Sequence, residues 1–138
     1  MALQGTVLVP TLSVFESAVG RVEARPKDER RDRWLVGTAA MPATAAAMHE
    51  AGVTVLAGTD SAELHGRVSD EVRALAAAGL PAHAALGAGS WAARAVLGLA
   101  SLDEGAAADA VIYDRDPRTD LRVLDHPVRV VLRGRVVR

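Results

Sequence analysis

A short apolar run that ends in a polar turn is the feature that most restricts the fold of this chain. Val53 to Ala57 reads VTVLA and is followed at once by Gly58, Thr59 and Asp60. Apolar, β-branched residues on both alternating faces are typical of a parallel strand covered by helices. Ligands and metals bind at the carboxyl ends of such strands, which makes Asp60 a candidate site residue. A second interpretation, in which Asp60 only caps a following helix, fits the residues equally well.

The segments around this run follow the strand and helix order of an α/β protein. Gly5 to Val9 predicts an earlier buried strand that ends at Pro10, since proline cannot donate to a strand ladder. Thr38 to Ala51 predicts a helix with Pro42 in its first turn and Gly52 just past its end. Three further helices are predicted, over Arg67 to Ala78, from Pro81 to about Ala88, and from Ser90 as N-cap to Gly98.

From Leu102 onward the sequence pattern favours strands and turns over helices. Ala108 to Asp114 predicts a strand, and Pro127 to Arg138 predicts a β-hairpin around an Arg133-Gly134 turn. The alternation in this hairpin predicts that three apolar side chains point inward, namely Val128, Val130 and Leu132. Residues 1–101 are therefore expected to form a βα part, and residues 102–138 a small β part.

Composition excludes several function classes. A net charge of −1 in 138 residues, with the basic residues dispersed, argues against a nucleic-acid partner. Six basic and four acidic residues crowd into Gly20 to Arg33, which predicts a solvated loop or an exposed helical turn. The chain has no cysteine, so histidines and carboxylates must carry any chemistry. Apolar runs are too short to cross a bilayer, which leads us to expect a cytoplasmic protein and no membrane partner.

The histidines form no local metal-binding motif. They stand far apart in the chain, so no two have the spacing of a chelating pair. His65 lies in the same loop as Asp60, where a single histidine is more often solvated than a ligand.

Four stretches in a particular order carry a resemblance to a known family. They are VLVPTL from Val7, AGVTVLAGTDS from Ala51, HGRVSDEVRALAAAGLPAHAAL from His65 and LDEGAAADAVIYDRDP from Leu102. In this order and spacing the chain resembles the C-terminal third of the metal-dependent amidohydrolase superfamily, most nearly the branch of imidazolonepropionase-like and Xaa-Pro dipeptidase-like enzymes.

The resemblance implies the last two βα units of a (β/α)8 barrel over residues 1–101, followed by strands of a composite β-sandwich over residues 102–138. It implies that Asp60 contacts a divalent catalytic metal, with zinc preferred, takes a proton from the metal-bound water and passes it to the leaving nitrogen. His65 matches a position that meets substrate. Glu71 matches a helix acid for which we expect a structural role.

Length limits what this chain can do by itself. A complete (β/α)8 barrel takes about 250 residues, and the other metal ligands of the family have no counterpart in the sequence. We therefore expect a fragment of an enzyme that hydrolyses amide or cyclic amide bonds in small-molecule or dipeptide-like substrates. The fragment is expected to be inactive without an N-terminal barrel chain or self-association. The alternative is a non-catalytic remnant or interaction module with an α/β core; a small independent enzyme using Asp60 and His65 is a weaker possibility.

Overall fold

A computed structural model describes residues 2–138 as a mixed α/β protein, as predicted. Met1, the first residue of the predicted barrel part, lies outside this range. The described helices are α1 Leu12–Glu23, α2 Glu29–Glu50, α3 Val68–Ala77, α4 Ala82–Ala88 and α5 Trp91–Val96. The strands are β1 Val7–Leu8, β2 Thr54–Val55, β3 Ala110–Ile112, β4 Arg129–Leu132 and β5 Arg135–Val136. Short 3₁₀ helices span Ala2–Gln4, Ala62–Leu64 and Leu121–Asp125. No helix within residues 2–138 is long and apolar enough to span a membrane.

The two predicted strands of the βα part pair in parallel. Val7 lies opposite Thr54, and Leu8 lies opposite Val55. Val55 is buried, whereas Thr54 is exposed and Val9, just after β1, is 48% exposed. The prediction that both strands are buried is therefore wrong in part, because helices cover this two-stranded sheet incompletely.

Helices α1 and α2 form a helical hairpin whose extent the sequence did not reveal. The charged segment predicted as a loop or single turn contains the end of α1 and the start of α2, and only residues 24–28 lie between them. Asp28 caps α2 by accepting a 2.7 Å hydrogen bond from the Arg31 backbone N–H. The Arg31 guanidinium donates to the carbonyls of Val22 and Glu23 at 3.3 and 3.1 Å, which closes the end of α1.

The predicted start of α2 at Thr38 is wrong, because the charged segment before it was predicted as a loop or single turn and not as part of the helix. The helix begins at Glu29, so Pro42 lies in its interior and not in its first turn. Proline usually breaks a helix interior because it lacks an N–H and its ring crowds the preceding turn. Here tertiary contacts hold the helix on both sides of Pro42: before it, the Trp34 ring lies 6.0 Å from the Phe15 ring, and after it Ala45 is only 1% exposed.

The core lies where α1, β2, α3 and α4 meet. Its buried members are all aliphatic: Leu12, Val55, Val72, Leu75, Leu80, Ala85, Leu86 and Ala88. The predicted helices over α3 and α4 are confirmed, and Gly79 ends α3 with a φ of 115° that favours glycine. Ser90 occupies the N-cap position of α5 as predicted, but its hydroxyl makes no capping hydrogen bond.

The last three strands form an antiparallel sheet in the order β3-β4-β5. The predicted hairpin is confirmed, and its turn residues Arg133 and Gly134 have φ values of 50° and 75°, as a primed hairpin turn requires. The predicted inward orientation is wrong for Val128 and Leu132, which are 43% and 53% exposed. The three side chains share a face as expected, but nothing within residues 2–138 covers that face well.

A polar cluster joins α3 to the 3₁₀ helix Leu121–Asp125. The Ser69 hydroxyl donates to Asp125 at 2.7 Å, and the Arg73 guanidinium lies 3.0 Å from the other oxygen of this carboxylate. The hydrogen bond from Ser69, with that of Arg73, lowers the pKa of Asp125 below its ordinary value.

Replacing Asp125 with asparagine is expected to make stability less dependent on pH in acid. A carboxyl whose pKa is lowered by folding stabilises the protein above its unfolded pKa, near 3.9, and loses this contribution as pH falls through the folded pKa. Because Asp125 is partly exposed, the expected loss at pH 7 is below about 1 kcal/mol. Urea unfolding at pH 7 and below pH 4 measures the difference, with the exposed Glu104→Gln as control. If wild type and Asp125→Asn differed in free energy of unfolding by the same amount at both pH values, the lowered pKa of Asp125 would be contradicted.

Candidate functional site

The carboxyl ends of β1 and β2 carry two residues with an unusual backbone. Thr11, after β1, has a φ of 50°, and Asp60, after β2, has a φ of 42°. This left-handed region is uncommon for residues other than glycine, and such residues concentrate at functional sites. Since the strands are parallel, both residues follow the same edge of the sheet. Asp60 is exposed at this edge.

Gly58 lets the loop that carries Asp60 pass close to β1. A Cβ atom at this position would lie 2.6 Å from the Val9 Cγ1 atom, well inside contact distance. The absence of a side chain at Gly58 therefore sets the path by which the chain leaves β2 and reaches Asp60.

Adding a methyl group at Gly58 is expected to destabilise the chain by about 1–3 kcal/mol, the usual range for an overpacked contact. Gly37→Ala is the matched control: it adds the same methyl within α2, where a Cβ would meet nothing within 4 Å, and alanine favours a helix by roughly 0.8–1 kcal/mol over glycine. Urea unfolding of Gly58→Ala in the wild-type and Val9→Ala backgrounds gives a double-mutant cycle. An equal loss in both backgrounds would show that Val9 is not the obstacle.

The capping interpretation of Asp60 is wrong. The N-cap of the 3₁₀ helix Ala62–Leu64 is Ser61, whose hydroxyl accepts a 3.3 Å hydrogen bond from the Glu63 N–H. Asp60 precedes this cap residue and does not itself cap the helix. His65 ends the same short helix and is exposed. The structure thus places both predicted site residues in one exposed loop, and their roles remain predictions.

Glu71 has the structural role that we expected. Its side chain is fully buried, and its two carboxylate oxygens accept hydrogen bonds from the backbone N–H groups of Leu12 and Ser13, at 2.8 and 2.7 Å. These are the first N–H groups of α1, where the helix dipole favours negative charge. Thr11 makes no side-chain capping bond, so a residue from α3 caps α1. Helix α1 follows the loop of Thr11, and α3 follows the loop of Asp60. The contact therefore joins the two helices that come after the loops at the carboxyl edge of the sheet.

The carboxylates with strongly lowered pKa values lie elsewhere. Hydrogen bonds from Arg118 and from Arg122 lower the pKa values of Asp116 and Asp120 to about 2. These are exposed pairs between β3 and β4. Two cavities, of about 730 and 500 Å³, lie beside the α1–α2 hairpin and include neither Asp60 nor His65.

The donors in residues 2–138 do not fit a catalytic metal by themselves. No group of three or more histidine, aspartate or glutamate side chains in this range could hold a metal ion. Catalytic zinc takes three protein ligands and a water molecule. Asp60 could supply one carboxylate at most, so residues 2–138 do not complete such a site.

Comparisons with solved structures confirm the α/β fold. The structure of a Xaa-Pro dipeptidase with methionine bound in its active site matches 96% of this chain, with a TM-score of 0.82 and 24% identity. A protein of Bifidobacterium longum assigned as a prolidase matches 96% of the chain, with a TM-score of 0.79 and 28% identity. The matches cover 34% and 35% of those longer chains.

Comparisons of sequence identify the family. Uncharacterized proteins of Mycobacterium tuberculosis and Mycobacterium bovis are 44% identical over 142 residues, a match that covers 98% of this chain. The chain spans 37% of the length of these relatives. The sequence profile of the Amidohydrolase family matches residues 22–137. As the resemblance predicted, the chain belongs to the amidohydrolase family.

Proposed function

We propose that this chain is one part of a metal-dependent hydrolase of C–N bonds in amides, cyclic amides or dipeptides. The observation that carries the proposal is the position of Asp60, an exposed carboxylate with a left-handed backbone directly after a parallel strand. Family membership supports hydrolysis as the reaction class. The names of the structural neighbours favour a dipeptide with proline in second position as the first substrate to test.

Asp60 is proposed to contribute one carboxylate to a divalent metal site, with zinc preferred, and to act in proton transfer. His65, five residues further along the exposed loop, is proposed to contact substrate. The remaining metal ligands are proposed to come from polypeptide outside residues 1–138, because the donors within residues 2–138 cannot complete a site. By this proposal the chain alone is inactive.

The proposed architecture places β1 and β2 as the last two strands of a (β/α)8 barrel. Their parallel pairing and the helices that separate them support this assignment. Residues 1–101 are proposed to belong to the barrel and residues 102–138 to a β-sandwich, which the antiparallel β3-β4-β5 sheet supports.

A non-catalytic interaction module is the alternative function. It is favoured by the lack of a three-ligand cluster within residues 2–138. The two functions differ in one result: hydrolysis of a Xaa-Pro dipeptide when the chain is combined with the part of the Mycobacterium tuberculosis relative that has no counterpart here. The hydrolase proposal requires turnover by the mixture, and the interaction module requires none.

A further inference from the structure

The larger of the two cavities lies at the turn between α1 and α2, and we call it the arginine cavity. Its volume of about 730 Å³ is within the range of sites that hold small molecules. Four arginines line it, two from the end of α1 and the loop after it and two from the first turn of α2: Arg21, Arg25, Arg30 and Arg31. Among the described residues, Asp28 is the only acid in the lining, and its carboxylate already accepts the hydrogen bond that caps α2.

Three of the four arginines have no partner within residues 2–138. Arg31 is held in place, because its guanidinium lies 2.7 Å from the Asp32 carboxylate and donates to the carbonyls that end α1. Arg21, Arg25 and Arg30 form neither an ion pair nor a side-chain hydrogen bond in this part of the chain. The cavity therefore has an excess of positive charge and N–H donors that no protein acceptor uses.

Arg30 lies where its own helix disfavours a positive charge. The helix dipole favours negative charge in the first turn and positive charge in the last, and Arg30 is in the first turn of α2. Of the two acids in this turn, Glu29 pairs with Arg33. The other, Asp32, pairs with Arg31. An anion bound in the cavity would offset the charge of Arg30.

The rest of the lining is apolar and includes an aromatic ring. It consists of Ala18, Val22, Pro26 and Trp34. Trp34 is partly buried, and its ring lies 6.0 Å from the ring of Phe15, a contact that fixes it against α1. Guanidinium groups bind phosphate and carboxylate oxygens through paired hydrogen bonds, and an indole ring stacks on other planar rings. The cavity thus combines surfaces for two parts of one ligand.

We propose that the arginine cavity binds a small multivalent anion that carries a planar ring. The three unpaired arginines bind its negative groups, which are phosphates or carboxylates, and the ring lies against Trp34. The proposal goes beyond the proposed function and does not rest on it, because neither Asp60 nor His65 lines the cavity. The competing interpretation is a solvated helical hairpin without a ligand, which predicts no saturable binding.

Titration calorimetry with three probes tests the proposal at about 0.15 M salt, where exposed charges more than about 8 Å apart are largely screened. ADP carries a ring with phosphates, phthalate carries a ring with carboxylates, and pyrophosphate has no ring. We expect one ADP or one phthalate to bind per chain, roughly tenfold more tightly than pyrophosphate, because stacking on an aromatic side chain contributes to binding. The tighter of the two ring-bearing probes identifies the negative groups as phosphates or carboxylates.

Substitutions connect this binding to the cavity. Arg25→Ala and Arg30→Ala are each expected to raise the Kd about tenfold or more, the usual effect of losing a charge-assisted hydrogen bond. Arg33→Ala is the matched control: it removes an exposed arginine close to Arg30 in the chain that does not line the cavity, and its Kd is expected to equal that of the wild type. Trp34→Leu keeps an apolar side chain and is expected to abolish the preference for ring-bearing probes.

The outcomes decide the proposal without reference to hydrolysis by the chain or by any complex of it. One saturable site, weakened by Arg25→Ala and Arg30→Ala but not by Arg33→Ala, supports it. Absence of saturable binding for all three probes would overturn it. An equal loss in Arg33→Ala, which would indicate general attraction of anions, or equally tight binding of pyrophosphate would also overturn it. Arg25 lies in the loop after α1, so its variant keeps the test decisive should Trp34→Leu fail to fold.

Discussion

Replacing Glu71 with alanine is expected to lower the free energy of unfolding by about 3–5 kcal/mol, because it removes two buried hydrogen bonds to a carboxylate, each worth roughly 1.5–3 kcal/mol. The substitution leaves the N–H groups of Leu12 and Ser13 buried without an acceptor. It also opens a cavity beside Leu75, which is fully buried one turn along α3. Urea unfolding followed by circular dichroism at pH 7 measures the change.

A graded pair of variants separates the cap from general packing. Glu71→Gln keeps the side-chain volume and one acceptor oxygen, but its amide group faces a backbone donor, so it is expected to lie between wild type and Glu71→Ala. Glu63→Ala removes an exposed glutamate from the Asp60 loop and is expected to change stability by less than about 0.5 kcal/mol. A loss below 1 kcal/mol for Glu71→Ala would refute the assigned role.

Replacing Asp60 with asparagine is expected to reduce kcat/KM for a Xaa-Pro dipeptide by about 10²–10⁴-fold in the complex with the complementing polypeptide. Asparagine adopts the left-handed backbone region readily, so the φ of 42° at this position is preserved. The variant removes the charge and the proton-accepting capacity of the carboxylate while its unfolding curve stays close to that of the wild type. Purified complex of matched metal content is assayed for released proline.

Two neighbours in the same loop serve as comparisons for Asp60. Glu63→Gln changes an exposed carboxylate near Asp60 and is expected to leave kcat/KM unchanged. His65→Gln is expected to raise KM more than it lowers kcat, because a residue that contacts only substrate acts on binding. Full activity in Asp60→Asn would rule out its role in proton transfer.

The parts of the fold that follow from local patterns could be predicted from sequence. The run VTVLA predicted strand β2. The apolar spacing of Val72 and Leu75, with Gly79 at the end, predicted α3, and the pair Arg133-Gly134 predicted the hairpin turn. These features depend on neighbours a few residues away. The position of Asp60 at the carboxyl edge followed from the same local reasoning.

Features that depend on distant residues could not be predicted in this way. The cap of α1 comes from Glu71, 59 residues beyond Leu12, so no local motif reveals where α1 begins. The dense charge from Gly20 to Arg33 concealed two helix ends, because exposed helical turns and loops share this composition. The inward orientation of Val128 and Leu132 failed for another reason: alternation shows which side chains share a face, but only the rest of a structure decides whether that face is covered.

The contact between Glu71 and α1 also bears on the order in which the chain folds. The first residues of α1 must meet Glu71 of α3, which lies 59 residues beyond Leu12, and closing such a long loop is entropically costly. The helical hairpin has mainly local contacts and forms early by this reasoning. We therefore expect the carboxylate to reach Leu12 and Ser13 after the rate-limiting barrier, so that its loss accelerates unfolding and leaves the folding rate nearly unchanged. The two hydrogen bonds that Glu71 accepts from α1 would thus stabilise the native state mainly by slowing its unfolding.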